Sequence, residues 1–151
     1  MFAFRLSPIT SVPLFVYVHT QFKEEGSVVK ILVVDDDRRL LEEVAAILGR
    51  NGHTADCVDN AVQAQDMAEK GSYDFVLVDY RMPEHDGIWF MKSVKLPRGT
   101  RALLVTSLVD KDVIRAMFSG GVCGYIIKPF DEEELMRNLN FHSERRSGKS
   151  A

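Results

Sequence analysis

The sequence is poor in the residues that build disulfide scaffolds, thiolate metal sites and membrane spans. It contains 2 cysteines in 151 residues, and Cys57 and Cys123 are too far apart to form a CxxC motif. Neither a disulfide framework nor a thiolate metal site is therefore indicated, and a reducing, cytoplasmic compartment fits best. No apolar run approaches the roughly 18 residues that span a bilayer, so we expect no membrane partner.

An excess of positive charge is also absent. The chain carries 19 Lys and Arg against 22 Asp and Glu, which gives a net charge of −3. Such a chain lacks the basic surface that nucleic-acid binding requires, so we expect no nucleic-acid partner. Hydrophobic residues make up 46% of the sequence, which is too much for a disordered protein and enough for one domain with a core.

The sequence does contain an alternation of short apolar runs and amphipathic segments. The apolar runs are rich in β-branched residues, as strands buried on both faces of a sheet are, and apolar residues at helical spacing follow each of them. This alternation predicts an α/β fold with a doubly wound, five-stranded parallel sheet. The predicted strands span residues 31–34, 54–58, 75–78, 102–105 and 125–127.

Several helix ends can be predicted from capping residues. Asp37 is predicted to cap the first helix, and either Asp59 or Asn60 the second. Gly71 is expected to end the second helix, and the third is predicted over residues 88–94.

Polar residues follow four of the predicted strands. Asp35 and Asp36 come after the first strand, Asp79 after the third, Thr106 after the fourth and Lys128 after the fifth. The carboxyl ends of parallel strands meet at one edge of the sheet, where α/β proteins bind ligands. Carboxylates gathered there would repel one another unless a hard divalent cation such as Mg²⁺ joined them. With a hydroxyl and an ammonium opposite, the set of groups suits phosphoryl transfer.

Four motifs in this order resemble those of a response-regulator receiver domain of the chemotaxis-receiver-like type. They are Val33 to Asp37, Asp79 to Pro83 with Asp86-Gly87, Val105-Thr106-Ser107, and Gly124 to Phe130. The resemblance covers about residues 29–141, and the combination is far more specific than any single motif. It implies a flavodoxin-like fold with strand order 2-1-3-4-5.

The resemblance implies roles for the acidic residues. Asp79 is similar to the phospho-acceptor, a carboxylate nucleophile that attacks the phosphorus of a phosphohistidine. Asp36 and Asp79 resemble direct Mg²⁺ ligands, and the backbone carbonyl of Arg81 resembles a third. Asp35 resembles an acid that holds the metal through water.

It also implies roles for the residues opposite. Thr106 and Lys128 resemble the hydroxyl and ammonium groups that hold the phosphoryl oxygens. Tyr125 is similar to a switch aromatic that moves inward when Thr106 is drawn to the phosphate, although an ordinary half-buried aromatic would look the same. The Lys128–Pro129 peptide bond is expected to be cis.

The implied function is phosphorelay signal transduction. A sensor histidine kinase or a phosphotransfer protein would donate the phosphoryl group, and phosphorylation would change the affinity for a downstream protein target or for a second copy of the chain. The protein would not be an enzyme beyond catalysing its own phosphorylation and dephosphorylation. One alternative is a phosphorylation-independent scaffold. Another is a phosphoester hydrolase, which is disfavoured because Arg81 stands where such enzymes carry a second acid.

The two ends of the chain lie outside the resemblance. We predict a receiver domain over residues 28–142 and a disordered tail over 143–151, and hence a stand-alone receiver. Residues 1–27 are predicted to be a disordered extension or a misassigned start, because the codons of Glu24-Glu25-Gly26 can form a purine-rich ribosome-binding site just before Val28 or Val29. An extra strand or docking segment at residues 14–18 is the alternative.

Overall fold

The computed structural model describes residues 28–148. The predictions for the N-terminal extension, including its alternative start, and for the last residues of the tail at 149–151 lie outside the described residues.

Within residues 28–148, five parallel strands alternate with five helices in a sheet of order β2-β1-β3-β4-β5. The predicted doubly wound fold and strand order are confirmed. The strands are β1 (Lys30–Val34), β2 (Thr54–Val58), β3 (Phe75–Val78), β4 (Arg101–Thr106) and β5 (Val122–Ile127). The helices are α1 (Arg38–Arg50), α2 (Ala61–Lys70), α3 (Gly87–Ser93), α4 (Lys111–Gly120) and α5 (Glu132–Gly148).

The sheet is apolar on both faces because helices cover both. In β1, Ile31 and Val33 pack in a cluster with α1 and α5, whereas Leu32 and Val34 pack in a second cluster with α2, α3 and α4. Successive side chains of a strand point to opposite faces, so each apolar run supplies both clusters. Strand β2 lies at one edge of the sheet, and among its residues only Val58 is buried.

Capping side chains fix the starts of α1 and α2, which follow the loops at the carboxyl edge of the sheet. Asp37 caps α1 by accepting hydrogen bonds from the amides of Arg39 and Leu40, as predicted. Asn60, rather than Asp59, caps α2, and Gly71 is the C-cap residue of that helix. Each such bond satisfies a backbone donor that has no partner within the helix.

Two helices differ in extent from the predictions. Helix α3 begins one residue earlier than expected, at Gly87, because Asp86 is its N-cap. Helix α5 continues to Gly148, so the predicted disordered tail is helical over its first part. The reason is local: no proline or glycine interrupts residues 132–147 of the helix.

Tyr73 ties the loop before β3 to the edge strand β2. Its hydroxyl donates a hydrogen bond of 2.6 Å to Asp56 Oδ2, and the residue is 6% exposed. Burial raises the pKa of Tyr73 to about 12, and the hydrogen bond and negative charge of Asp56 act in the same direction.

Replacing Tyr73 by Phe should therefore lower stability in a pH-dependent way. We expect a loss of about 1 kcal/mol near neutral pH, because one hydrogen bond to a charged but exposed acceptor disappears. The raised pKa means that this contribution is complete below about pH 10 and is lost as the pH rises through about 12. Urea unfolding of both proteins at about pH 7 and about pH 11 measures the difference. An equal difference at both pH values would contradict the assignment.

Candidate functional site

Backbone hydrogen bonds beyond the ends of β1 and β3 position two aspartates at the carboxyl edge of the sheet. The amide of Asp35 donates to Val58 O at 3.1 Å, and the amide of Asp79 donates to Val34 O at 3.0 Å. These bonds continue the sheet pattern by one residue, so both side chains start from a rigid backbone. Both are buried, with 2% of Asp35 and 6% of Asp79 exposed.

Three carboxylates converge at this edge. Asp35, Asp36 and Asp79 each offer an oxygen atom, and these oxygens all lie within 4.8 Å of one another. Asp36 is exposed, whereas the other two are buried. An all-oxygen set that is open to solvent on one side suits Mg²⁺, which keeps some of its water ligands. The predicted grouping of these three residues is thus present in the structure.

Lys128 reaches into the carboxylate cluster from the end of β5. Its Nζ lies 2.6 Å from Asp35 Oδ2 and 3.3 Å from Asp79 Oδ2. Its amide donates to Thr106 O at 2.9 Å, and the Lys128–Pro129 bond is cis, as predicted. The lysine therefore spans the two buried carboxylates, one from β1 and one from β3.

The charges of the cluster are not balanced by protein groups alone. Burial raises the pKa of Asp35; the hydrogen bonds from Lys128 and from the Asp37 amide oppose this rise, and the charge of Asp79 adds to it. For Lys128, burial lowers the pKa, but the hydrogen bond to Asp35 and the charge of Asp79 outweigh burial and raise it. The Lys128 ammonium contacts only two of the three carboxylates, so a divalent cation would relieve the remaining repulsion.

Thr106 is the last residue of β4 and is 1% exposed. Its Oγ1 accepts a hydrogen bond of 3.2 Å from the amide of Leu108. That bond occupies an acceptor position and leaves the hydroxyl proton free to donate toward a ligand. The Leu108 amide was not predicted as part of the site, because any residue type supplies a backbone amide and the sequence gives no signal for it.

Arg81 and Tyr125 are exposed, unlike the buried Asp35 and Asp79. The Arg81 side chain is exposed in the loop after Asp79. Tyr125 is 45% exposed, and its ring packs edge-on against Phe118 with ring centroids 6.3 Å apart. Tyr125, a residue of β5, thus lies at the surface beside α4. This position is compatible with both a switch aromatic and an ordinary half-buried aromatic.

The loop that follows Asp79 is closed tightly on itself. The amide of Tyr80 donates to Asp79 Oδ1 at 2.8 Å, and the amide of Gly87 donates to Tyr80 O at 2.7 Å. A Cβ atom at Gly87 would lie only 2.6 Å from Asp79 O. Glycine at this position therefore lets the start of α3 approach the main chain of Asp79.

No helix within residues 28–148 is both long and apolar enough to cross a membrane.

Comparisons with known proteins agree with this geometry. The family model of the response regulator receiver domain matches residues 31–140. The chain is 33% identical over 122 residues to chemotaxis protein CheY-3 of Vibrio cholerae, which covers 77% of this chain and 92% of CheY-3. It is 32% identical over 109 residues to transcriptional regulatory protein BasR of Escherichia coli, covering 70% of this chain. The match spans about half of BasR, 48% of its length.

Solved structures share the fold. A CheY-like receiver domain protein from Methanospirillum hungatei matches with a TM-score of 0.77 at 22% identity, over 82% of this chain and 99% of that one. The receiver domain of sensor histidine kinase PA1611 from Pseudomonas aeruginosa matches with a TM-score of 0.66 at 27% identity, over 75% and 95%. The latter structure has a magnesium ion coordinated in its active site cleft.

Proposed function

Since the chain belongs to the response regulator receiver domain family of two-component systems, we propose that Asp79 accepts a phosphoryl group from a histidine kinase or phosphotransfer protein. The observation that supports this most directly is the position of Lys128, whose ammonium contacts Asp35 and Asp79 of the carboxylate cluster. A buried carboxylate next to a cation and two further acids is suited to accept a phosphoryl group in the presence of a divalent metal.

In the proposed reaction, a carboxylate oxygen of Asp79 attacks the phosphorus of a phosphohistidine. A phosphorus–oxygen bond forms, the phosphorus–nitrogen bond breaks, and the departing imidazole takes a proton from solvent. Lys128 stabilises negative charge on the transferred oxygens, and the hydroxyl of Thr106, oriented by the Leu108 amide, donates to one of them.

We propose that Mg²⁺ is the cofactor of this reaction. Asp36 and Asp79, with the backbone carbonyl of Arg81, would hold the ion directly, and Asp35 would hold it through water. When bound, the ion would neutralise the carboxylates and the charge on the phosphoryl oxygens. The hard oxygen donors of the acidic cluster support this choice over a softer metal.

The proposed output is a change in affinity for a downstream protein partner. We further propose that the protein turns over no separate substrate and acts only in its own phosphorylation and dephosphorylation. We also propose a cytoplasmic location, in keeping with the low cysteine content of the chain.

The proposed function can be tested by loading the full chain with a phosphoryl donor. Incubation with acetyl phosphate and Mg²⁺, followed by intact-mass measurement and peptide mapping, should reveal one phosphoryl group on Asp79. Beryllofluoride with Mg²⁺ should bind at the same site and compete with loading. Failure of both reagents to react at Asp79 would overturn the proposal.

Replacing Asp36 by Asn should weaken Mg²⁺ binding by about tenfold or more, because an anionic ligand becomes neutral. The matched control is Asp37→Asn, which removes the same charge one residue further on. Asn also caps helices well, so α1 should remain intact in the control. Isothermal titration calorimetry with MgCl₂ measures both, and we expect less than about a twofold change for the control. Equal losses in both variants would mean that overall charge, not coordination, determines the affinity.

The side chains of Arg81 and Leu108 are predicted to slow loss of the phosphoryl group by obstructing in-line attack of water. Arg81 is exposed in the loop after Asp79, and Leu108 is half-buried beside Thr106. An Arg81→Asn, Leu108→Glu double variant should lose its phosphoryl group faster, on the order of tenfold. Decay of acetyl-phosphate-loaded protein, followed by intact mass, gives both rates. An unchanged decay rate in the double variant would contradict the proposal that these side chains obstruct the attack of water.

A further inference from the structure

Gly87 marks the point where the loop that carries Asp79 meets helix α4. A Cβ atom built on Gly87 would lie 2.6 Å from Asp79 O, 3.0 Å from Tyr80 Cα and 3.1 Å from Met117 Cε. The main chain of the acceptor loop and the tip of the Met117 side chain thus approach the same point from two sides. No space remains there for even a methyl group.

Two hydrogen bonds tie together the acceptor loop, residues 79–86, and the start of α3. The amide of Tyr80 is bonded to the Asp79 carboxylate, and the amide of Gly87 is bonded to the carbonyl of Tyr80. A displacement of the Asp79 carboxylate would therefore be passed to Tyr80 and on to Gly87 through two short hydrogen bonds. A close-packed interior contains little empty space, so such a displacement would push on the neighbouring side chains.

Helix α4 depends on Met117 for its attachment to the sheet. Met117 is 0% exposed and is the one buried residue among the described residues of α4. Val113 and Ile114 are only partly buried against the same cluster. Met117 is therefore the most deeply buried anchor of α4, and the tip of its side chain lies at Gly87.

The next residue of α4 connects this contact to the surface. Phe118 is 42% exposed, and its ring packs edge-on against Tyr125, which is 45% exposed. A shift of Met117 along the helix axis or around it also moves Phe118. The exposed pair of Phe118 and Tyr125 thus lies one residue away from a side chain that touches the acceptor loop.

We propose that Met117 is a positioning residue that couples the acceptor loop to helix α4, and through it to the exposed Phe118–Tyr125 pair. The route passes from the Asp79 main chain through Gly87 to Met117, and it is separate from any movement of the Thr106 hydroxyl. The inference rests on the proposed function, since it assumes that Asp79 takes a ligand. Met117 itself touches no reacting atom.

The chain supplies a matched control in Met91. It is 6% exposed and, like Met117, lies at the interface between α3 and α4. Met91 contacts α4 at Gly120, however, where a Cβ atom would lie 2.9 Å from Met91 Cβ. Met91 and Met117 have the same chemistry and similar burial. Truncating either side chain leaves a cavity at the interface between α3 and α4, whereas only the Met117 truncation removes the contact at Gly87.

The test compares beryllofluoride responses by two-dimensional NMR of the full chain with Mg²⁺. In the wild type, we expect amide shifts to change both in the acceptor loop and along α4. In Met117→Ala the loop changes should persist while the α4 changes shrink by about twofold or more, and Met91→Ala should keep both. Met117→Leu and Met91→Leu, which preserve most of the volume, repeat the comparison if an alanine variant does not fold.

Undiminished α4 shifts in both Met117 variants, or an equal loss in the Met91 variants, would overturn the coupling while leaving the proposed function intact. A wild-type protein that shows no loop shifts at all with beryllofluoride and Mg²⁺ would overturn the proposed function, and the coupling with it. Loss of α4 shifts in the Met117 variants alone supports the inference. A merely structural role for Met117 would affect stability without separating the two sets of shifts.

Discussion

An Asp79→Asn variant should take up no phosphoryl group from acetyl phosphate and bind no beryllofluoride. The amide has nearly the shape of the carboxylate but lacks the anionic oxygen that must attack phosphorus. The effect should be complete loss, because the proposed attack is made by the carboxylate of Asp79, which is buried and lies 3.3 Å from Lys128 Nζ. Intact-mass measurement after loading is the readout.

Misfolding is not expected to explain this loss. Removing one of three converging carboxylates relieves repulsion, and Lys128 keeps its 2.6 Å contact with Asp35. Thermal unfolding without Mg²⁺ should therefore show Asp79→Asn to be at least as stable as the wild type. Asp66→Asn, which changes an exposed acid in α2, is the matched control and should load normally. Phosphoryl uptake by Asp79→Asn at another residue would contradict the assignment of the acceptor.

A Gly87→Ala variant should lose about 1–3 kcal/mol of stability, because the added methyl group has no space. Its nearest neighbours would be main-chain atoms, Asp79 O at 2.6 Å and Tyr80 Cα at 3.0 Å, which cannot rotate away as a side-chain tip could. The acceptor loop must therefore shift, and phosphoryl loading should slow as well. Urea unfolding and the initial rate of loading with acetyl phosphate measure the two effects.

Gly49→Ala is the control with the opposite sign. Gly49 lies in α1, and no atom outside its own helix and chain neighbours lies within 4 Å of the position that a methyl group would take there. Alanine is the better helix former, and we expect a gain of about 0.5–1 kcal/mol. If both variants were destabilised alike, the close approach at Gly87 would not be the cause.

The fold could be predicted because its strands and caps are specified locally. Strands β1, β3 and β4 are apolar at nearly every position, since both faces of the sheet are covered by helices. Asp37 and Asn60 identify the helix starts that follow β1 and β2. The edge strand β2 is less apolar, yet its start and end were predicted correctly at residues 54–58.

Strand β5 shows where local reasoning fails. The prediction began this strand at residue 125, but it begins at Val122 and includes Gly124, a poor strand former. The structure gives the reason: a Cβ atom at Gly124 would lie 2.5 Å from Nε2 of His142, a buried residue of α5. A contact between β5 and the far part of α5 cannot be read from the residues around Gly124.

The candidate site likewise combines features that the sequence specifies with features that depend on loop conformation and long-range packing. The gathering of Asp35, Asp36, Asp79 and Lys128 at one edge follows from parallel strands and was predicted. The hydrogen bond from the Leu108 amide to Thr106 depends on loop conformation, which the sequence does not specify. The contact of Met117 with Gly87 depends on how α4 packs against the loop, and the apolar pattern of α4 indicates only that Met117 faces inward.

The edge strand β2 has a consequence for the behaviour of the protein at high concentration. An unpaired strand edge can recruit the strand of another molecule and start aggregation. In β2 the charged side chain of Asp56 is exposed, and the hydroxyl of Tyr73 holds it in place. A second molecule that paired there would bring its own Asp56 close to this one, and the repulsion between like charges opposes growth of a continuous intermolecular sheet.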